Sequence, residues 1–335
     1  MFSTATRWEV PSTKSMNLPK QLTVIIPVIR PDLIERCLQT LYEYTEAGMF
    51  YTYVIDQTVR GLDATELRNK YKNLMIIRTP KSDVHHTGNL GFAQATNLGI
   101  SLVQTPYFMM LNDDCEMIHP KWWQGVLDTF EKVDKATPER PAVIVNPSST
   151  RLPDWSIGKK SGEHHDIIEY KEQYTDADWD FLINEDHYVN EHLTIKPGSV
   201  MDGVTMYASV CHTQRFLEVG MLCERFFPGS GEDYDYSCRA SMLGYRSVGT
   251  TLSYVFHWWS STFKAVHEED DVRSLMIPEL SWNGTSEKWG DGFDIWGVKC
   301  PECTERLVMK EDGSFTCKQH LEVNYTMPEQ YIAPL

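Results

Sequence analysis

Several absences narrow the reading before any motif is considered. Basic residues are in deficit: 31 Lys and Arg stand against 47 Asp and Glu, a formal net charge of -16. A duplex-binding protein normally shows a basic face, and none is visible here. No apolar run approaches the roughly 20 residues of a membrane-spanning helix. The longest, Leu22-Thr-Val-Ile-Ile-Pro-Val-Ile29, is strand-sized and interrupted by Pro27. Met1 to Val10 lacks the basic-then-apolar order of a signal peptide, so a cytoplasmic location is the expectation. The chain has no internal repeat and no low-complexity segment. A nicotinamide-dependent dehydrogenase would need a Gly-x-Gly-x-x-Gly turn after its first strand. The corresponding Ile26-Pro-Val-Ile-Arg-Pro31 holds no glycine, which removes that class.

What is present is enough for one large α/β domain and a small appendage: 335 residues with 41% hydrophobic content. Residues 1–20 read as an N-terminal extension. Leu22-Thr-Val-Ile-Ile-Pro-Val28 reads as a buried strand. Pro31 then opens a helix with Leu33, Ile34, Cys37, Leu38, Leu41 and Tyr42 on one face. Strands follow at Tyr51 to Ile55, Leu74 to Ile77 and Pro106 to Leu111. Helices begin near Leu90 and run from His119 to Lys132. Strands alternating with helices predict a mixed, mainly parallel sheet flanked by helices, with ligands at the carboxyl ends of the strands. Patterning weakens over residues 150–196, which read either as a surface insertion or as a loop facing an acceptor. It resumes at Val200 and continues to Phe263.

Three polar clusters carry possible chemistry. Leu111-Asn-Asp-Asp-Cys-Glu116 places carboxylates directly after an apolar strand. Mg²⁺ and Mn²⁺ prefer oxygen ligands, so one or two carboxylates there could hold an ion against a diphosphate. A solvated turn or helix cap accounts for the same residues. Gly231-Glu-Asp-Tyr-Asp-Tyr-Ser-Cys-Arg239 opens a helical run. The helix dipole favours acidic residues in such a first turn, and a general base facing a pocket is the other reading. Arg239 lies one turn beyond Asp235 and is placed to pair with it. His257 follows the apolar stretch Leu252 to Phe256; such a histidine is either structural or a metal ligand.

The eight cysteines divide into two sets. Cys37, Cys115, Cys211, Cys223 and Cys238 are scattered and read as buried free thiols in a reducing compartment. Cys300-Pro-Glu-Cys303 and Cys317-Lys-Gln-His320 are paired ligands flanking a candidate Asp312-Gly313 turn. Three thiolates and an imidazole suit a closed tetrahedral Zn²⁺ site, and unliganded cysteines or a Cys300–Cys303 disulfide are the competing readings.

Taken in order, these pieces resemble the inverting glycosyltransferases of family 2, which have the GT-A fold. Leu22 to Val28 resembles the family's opening strand. Val54-Ile-Asp-Gln-Thr58 resembles its second strand, which ends in an acidic residue. Asn89-Leu-Gly-Phe-Ala-Gln-Ala-Thr-Asn-Leu-Gly99 looks like its Asn-x-Gly-Phe and Asn-x-Gly segment. Asn112-Asp113-Asp114 stands at the metal-binding acidic triplet, although its first position is Asn. Phe226-Phe-Pro-Gly-Ser-Gly-Glu-Asp-Tyr-Asp235 resembles the aromatic pair leading into the catalytic cluster.

The resemblance covers residues 21–263. It implies a metal-dependent inverting transferase using a nucleotide-diphospho-sugar and a glycan or other hydroxyl acceptor. Asp233 would be the base, with Glu232 the alternative. Pro27, Asp56, Asn89, Gly91, Asn97, Asn112 and Asp113 would contact the nucleotide sugar. Asp114, assisted by Asp113 and His257, would hold Mn²⁺ or Mg²⁺. The expected organisation is a transferase domain over residues 21–285 and a zinc-ribbon-like module over 286–335. The rival readings are a non-catalytic sugar-nucleotide or glycan-binding module, and a transferase acting on modified nucleic acid.

Overall fold

The computed structural model describes residues 20–80, 89–149, 187–190, 193–195, 200–202, 205–226, 229 and 231–258. Beyond them it describes residues 293–294, 297–298, 308–309, 315–316, 319 and 324–325. Cys300, Cys303, Cys317 and His320, the N-terminal extension before residue 20 and most of the 150–196 insertion lie outside the described residues. Among the described residues no helix is long and apolar enough to cross a membrane.

The first half of the chain alternates strand and helix: β1 (Leu22–Val28), α1 (Ile34–Tyr44), β2 (Phe50–Asp56), α2 (Ala64–Lys70), β3 (Leu74–Arg78), α3 (Phe92–Ile100) and β4 (Tyr107–Leu111). Then come β5 (Cys115–Met117), α4 (Trp122–Ala136), β6 (Ala142–Ser149), β7 (His187–Asn190), β8 (Leu193–Ile195), β9 (Val200–Asp202) and β10 (Ala208–His212). The last large elements are α5 (Thr213–Val219), α6 (Glu232–Met242) and β11 (Arg246–His257). The C-terminal pieces β12 (Phe293–Asp294) and β13 (Gly297–Val298) pair with each other. β14 (Val308–Met309), β15 (Phe315–Thr316) and β16 (Asn324–Tyr325) form a small antiparallel sheet.

The main sheet runs β3-β2-β1-β4-β10-β6-β11-β5, with β9 also paired to β11. β1 is buried at every position because helices cover both faces, which is why its sequence is apolar without alternation. Its side chains still alternate. Leu22, Val24, Ile26 and Val28 join the cluster built with α1 and α4, while Ile25 joins the one built with α3, α5 and α6. Pro27 has no N–H for a ladder. It is tolerated because β4 pairs with β1 only as far as Ile25, leaving β2 as the sole flanking strand there. The carboxyl ends of β1 and β4 lie where the strand order reverses, the place at which open α/β sheets bind ligands.

The parallel expectation holds for β1 to β4 and for β6 with β11. It needs correction elsewhere: β10 is antiparallel to both β4 and β6, and β11 is antiparallel to β5 and β9. Parallel pairing requires a long crossover, whereas β5, β9 and β10 start from the end at which β4 and β6 finish. Val28, Asp56, Leu111, Ser149 and His257 therefore end their strands on one side of the sheet.

Several boundaries moved for local reasons. α1 starts at Ile34, since Leu33 N–H bonds the Arg30 carbonyl in a turn that includes Pro31. α3 starts at Phe92, because Gly91 has φ 79° and cannot belong to the helix. β11 is longer than its apolar stretch; Ser247, Thr250, Thr251 and Ser253 are buried hydroxyl residues that carry no apolar signal. α2 was not anticipated, and Asp63 caps it by accepting the Thr65 and Glu66 N–H groups. Among the scattered thiols Cys223 is only half-buried; the other four are buried.

α4 lies directly on β11. A Cβ on Gly125 would sit 1.8 Å from the Leu252 carbonyl oxygen. In an exposed helix Gly→Ala is favourable by about 1 kcal/mol. Here the sign reverses, and Gly125→Ala is expected to destabilise by about 3 kcal/mol through overpacking. Urea unfolding reads this directly, and an unchanged midpoint would mean that α4 can ride off the strand at no cost.

Candidate active site

β4 ends in a tight reversal. Asn112 N–H donates to the Tyr207 carbonyl at 2.8 Å, and Cys115 N–H donates to the Asn112 carbonyl at 3.1 Å. Asp113 and Asp114 occupy the turn, each 5% exposed. Their carboxylates serve different neighbours. Asp113 Oδ2 accepts the Ile29 and Arg30 N–H groups at 3.4 Å and so holds the loop that leaves β1. Asp114 Oδ1 lies 3.2 Å from His257 Nε2.

Strand register produces that second contact across 143 positions of sequence. β5 pairs antiparallel with β11 so that Cys115 is directly opposite His257. Trp258 N–H closes the corner on the Asp114 carbonyl at 3.0 Å. The Tyr207 ring stacks on the imidazole, with centroids 4.9 Å apart and planes 19° apart. The ligand atoms of Asp114, Cys115 and His257 all lie within 4.8 Å of one another, and all three residues are buried. The Arg36 guanidinium lies 2.7 Å from Glu116, which also accepts the Trp258 indole N–H.

A divalent cation fits these residues. Asp114 Oδ1 is buried and receives no hydrogen bond. A carboxylate oxygen in that position is costly unless a positive charge compensates it. Carboxylate and imidazole donors together suit Mn²⁺ and similar ions. Burial and the neighbouring carboxylates push the Cys115 thiol up, and its S–H donates to the Tyr207 carbonyl at 3.4 Å.

The second cluster lies at the start of α6, behind Gly231 with φ 108°. Asp235 is fully buried and its carboxylate meets Arg239 Nε at 3.1 Å. Arg239 also donates to the carbonyls of Val219 and Met221, so this pair locks α6 to the preceding loop. Asp233 takes backbone partners instead. Its Oδ1 accepts the Tyr234 N–H at 2.7 Å, and burial pushes its carboxyl up against the opposing pull of backbone N–H groups that include Met206. Met206 adjoins Tyr207, whose ring stacks on His257 and whose carbonyl holds the Asn112 turn. Residues 206–207 thus form a strut between Asp233 and the Asp114–His257 pair. Glu232 is 7% exposed and faces the start of α3: a Cβ on Gly229 would sit 3.5 Å from Phe92 Cβ and 3.9 Å from Glu232 Oε1.

The remaining candidate residues lie in β1, at the end of β2, and in α3 with the turn before it. Asp56 is 2% exposed and its carboxylate is fully engaged. Oδ1 accepts from Thr58 N–H at 3.0 Å and Thr58 Oγ1 at 2.7 Å; Oδ2 accepts from Leu62 N–H at 2.9 Å and Arg78 Nη1 at 3.0 Å. It shapes the 57–62 loop. Asp56→Ala is expected to destabilise by about 2–4 kcal/mol, because the buried Thr58 and half-buried Leu62 donors lose a charged acceptor. Arg78 is half-exposed and can turn to water, so it adds little. A thermal transition that did not move would mean that water replaces the carboxylate.

Gln57 Oε1 accepts the Leu90 N–H at 2.7 Å, and Asn89 Oδ1 accepts the Gly91 N–H at 2.8 Å. Asn97 spans α3 and the loop before α6: its amide donates to the Leu222 carbonyl and to Glu224, and its Oδ1 accepts the Leu222 N–H. Tyr207 and Met206 escaped sequence reasoning, since neither belongs to a recognisable motif, and Glu116 was legible only as the end of the acidic cluster. Cys115 was legible only by its position beside the acidic turn.

Residues 23–187 match the family model described as Glycosyl transferase family 2. The match covers a little under half of the chain, from β1 through the Asn112–Asp114 turn to β6 and the first residue of β7. Over these residues the chain is similar to that family, and this similarity supports a glycosyltransferase enzyme. Glu232, Asp233 and His257 lie beyond the matched residues.

No curated protein matches the chain. Among solved structures, TarS 1-349 from S. aureus is 12% identical with a TM-score of 0.42, covering 80% of this chain and 72% of its own. The mannosyltransferase PcManGT from Pyrobaculum calidifontis, in complex with GDP-Man and Mn2+, is 12% identical with a TM-score of 0.46, covering 84% and 73%. GalNAc-T7 with UDP, GalNAc and Mn2+ is 11% identical with a TM-score of 0.46, covering 81% and 50%.

Proposed function

We propose that the protein is a divalent-cation-dependent, inverting glycosyltransferase that moves a sugar from a nucleotide-diphospho-sugar to an acceptor hydroxyl. The observation that carries this is the buried Asp114–His257 pair, 3.2 Å apart, tied through residues 206–207 to the Asp233 carboxylate. Asp114 and His257 would hold the cation, with Asp113 beside them on the β1 loop. A cation in that position supplies positive charge to the diphosphate as the nucleotide leaves.

The chain's own groups do the rest. Asp113, through the Ile29 and Arg30 N–H groups, and Asp56, through the 57–62 loop, shape the walls around the nucleotide. Asn89, Gly91 and Asn97 hold the start of α3, where Gly91 lets backbone approach the donor. Asp233 takes the proton from the acceptor hydroxyl as its oxygen bonds to the anomeric carbon. The bond from that carbon to the diphosphate oxygen breaks on the opposite face, so the configuration inverts. Glu232 is the second carboxylate within this first turn.

The deciding measurement is nucleotide release from UDP-, dTDP- and GDP-sugars with Mn²⁺, with Mg²⁺ and with EDTA. Release from at least one donor, abolished by EDTA, is the expected result. Silence with every donor and ion would overturn the reading, and product NMR showing a retained anomeric configuration would overturn the inverting mechanism. Calorimetry should show weaker nucleotide binding in Asp56→Ala.

The C-terminal ligand pairs are read as a structural zinc site formed by Cys300, Cys303, Cys317 and His320. Such a short segment has little core of its own, so the metal would supply most of its folding energy. Elemental analysis should find about one zinc per chain, the content of a single closed tetrahedral site. The content should fall sharply in Cys303→Ser. Zinc-free purified protein would remove this part of the reading.

A further inference from the structure

We infer that Cys115 is a third ligand of the cation site, and that its sulfur makes the site prefer a borderline cation such as Zn²⁺ or Co²⁺ over Mg²⁺. This rests on the reading of Asp114 and His257 as cation ligands.

The placement follows from the strand register. Residues directly opposite on antiparallel strands carry Cβ atoms about 4.5–5.5 Å apart on the same face. Cys115 and His257 are such a pair, and Asp114 is the residue before Cys115. Ligand bonds of about 2.0–2.3 Å mean that donors of one ion lie about 4 Å apart or less. The Asp114, Cys115 and His257 donors lie within 4.8 Å of one another, so small side-chain rotations bring them onto one ion. The same spot holds a charge to be compensated: Asp114 Oδ1 is buried and makes no hydrogen bond, with the His257 imidazole 3.2 Å away.

The bland alternative is that Cys115 only packs and donates to the Tyr207 carbonyl. Losing that donor does not strand the carbonyl, which also accepts the Asn112 N–H at 2.8 Å. On ligation the thiol proton leaves to water as the sulfur–metal bond forms. Carboxylate and water ligands alone suit Mg²⁺, whereas sulfur and imidazole favour ions further along the first-row series.

The test titrates the whole chain with Co²⁺, Zn²⁺ and Mg²⁺ and compares it with Cys115→Ser. The wild type should bind Co²⁺ and Zn²⁺ more tightly than Mg²⁺ and show a near-ultraviolet sulfur-to-cobalt charge-transfer band. Cys300, Cys303 and Cys317 contribute equally to both proteins, so the difference spectrum isolates Cys115. The substitution should remove that band and lower the Co²⁺ to Mg²⁺ affinity ratio by about tenfold or more, a loss that even outer-shell partners of a metal can cause.

Cys115→Ala, which leaves no donor at the position, should give the same two losses and guards against a folding defect particular to serine. An unchanged spectrum and ratio in both variants overturns the inference. If Asp114→Ala then abolishes cation binding, the site itself stands without the sulfur. If neither Asp114→Ala nor His257→Ala alters any cation affinity, the cation reading falls and takes this inference with it.

Discussion

Asp114→Ala is expected to reduce sugar transfer by about a thousandfold or more, since a correctly placed cation supplies several kcal/mol of charge stabilisation at the leaving group. The same substitution should remove Mn²⁺ binding measured by calorimetry. Its thermal transition should stay close to that of the wild type. Asp114 Oδ1 accepts no hydrogen bond, and its near neighbour is the His257 imidazole at 3.2 Å, so alanine costs little there. The turn itself is held by main-chain bonds from Asn112, Cys115 and Trp258, none of which needs the carboxylate. His257, no longer facing a carboxylate, keeps its stacking on Tyr207. Full transfer by Asp114→Ala, or by the wild type in EDTA, would show that the cation assignment is mistaken.

Asp233→Asn should lower turnover by about 10²–10⁴-fold, the usual contribution of a positioned base, while leaving donor affinity nearly unchanged. The pH profile provides a second reading. Burial raises the Asp233 carboxyl above its ordinary value of 3.8. The base works only when deprotonated, so wild-type turnover should fall as pH drops through that raised value, and the acidic limb should vanish in Asp233→Asn. The stability sign can be worked out from the same shift. The folded protein binds this proton more tightly than the unfolded chain does. The resulting penalty is absent below the unfolded value and fully developed above the raised folded one. At neutral pH the asparagine variant should therefore melt no lower than the wild type. A variant that loses donor affinity as much as turnover would place Asp233 among the binding groups. If instead Glu232→Gln abolished turnover and Asp233→Asn did not, the base would be Glu232.

The bond pattern explains why these carboxylates can be told apart. Asp235 and Asp56 lie within the same acidic background, yet each has its oxygens engaged by donors of the chain, Arg239 for one and the 57–62 loop with Arg78 for the other. Asp113 is turned to the β1 loop. Asp114 and Asp233 are the acidic residues placed on either side of residues 206–207. A count of acidic residues gives no such division; the direction of each side chain does.

By itself the sequence determined the elements whose signal is local. The largely apolar run from Leu22 to Val28 reads as a buried strand, and the spacing of Ile34, Cys37, Leu38 and Leu41 as one helical face. The Asn112-Asp113-Asp114 turn, the Glu232-Asp233 helix start and the Asp235–Arg239 pair were legible for the same reason, since turn chemistry and i,i+4 spacing act over a few residues. Only the tertiary structure decided what depends on distant pairing. The antiparallel insertion of β10 and the length of β11 have no local signature, because the buried Ser247, Thr250, Thr251 and Ser253 carry no apolar pattern. The separation of Asp113 from Asp114 depends on where β1 ends beside β4. The place of Cys115 depends on its register with His257, since a one-residue slip of β5 against β11 would turn the thiol to the opposite face of the sheet.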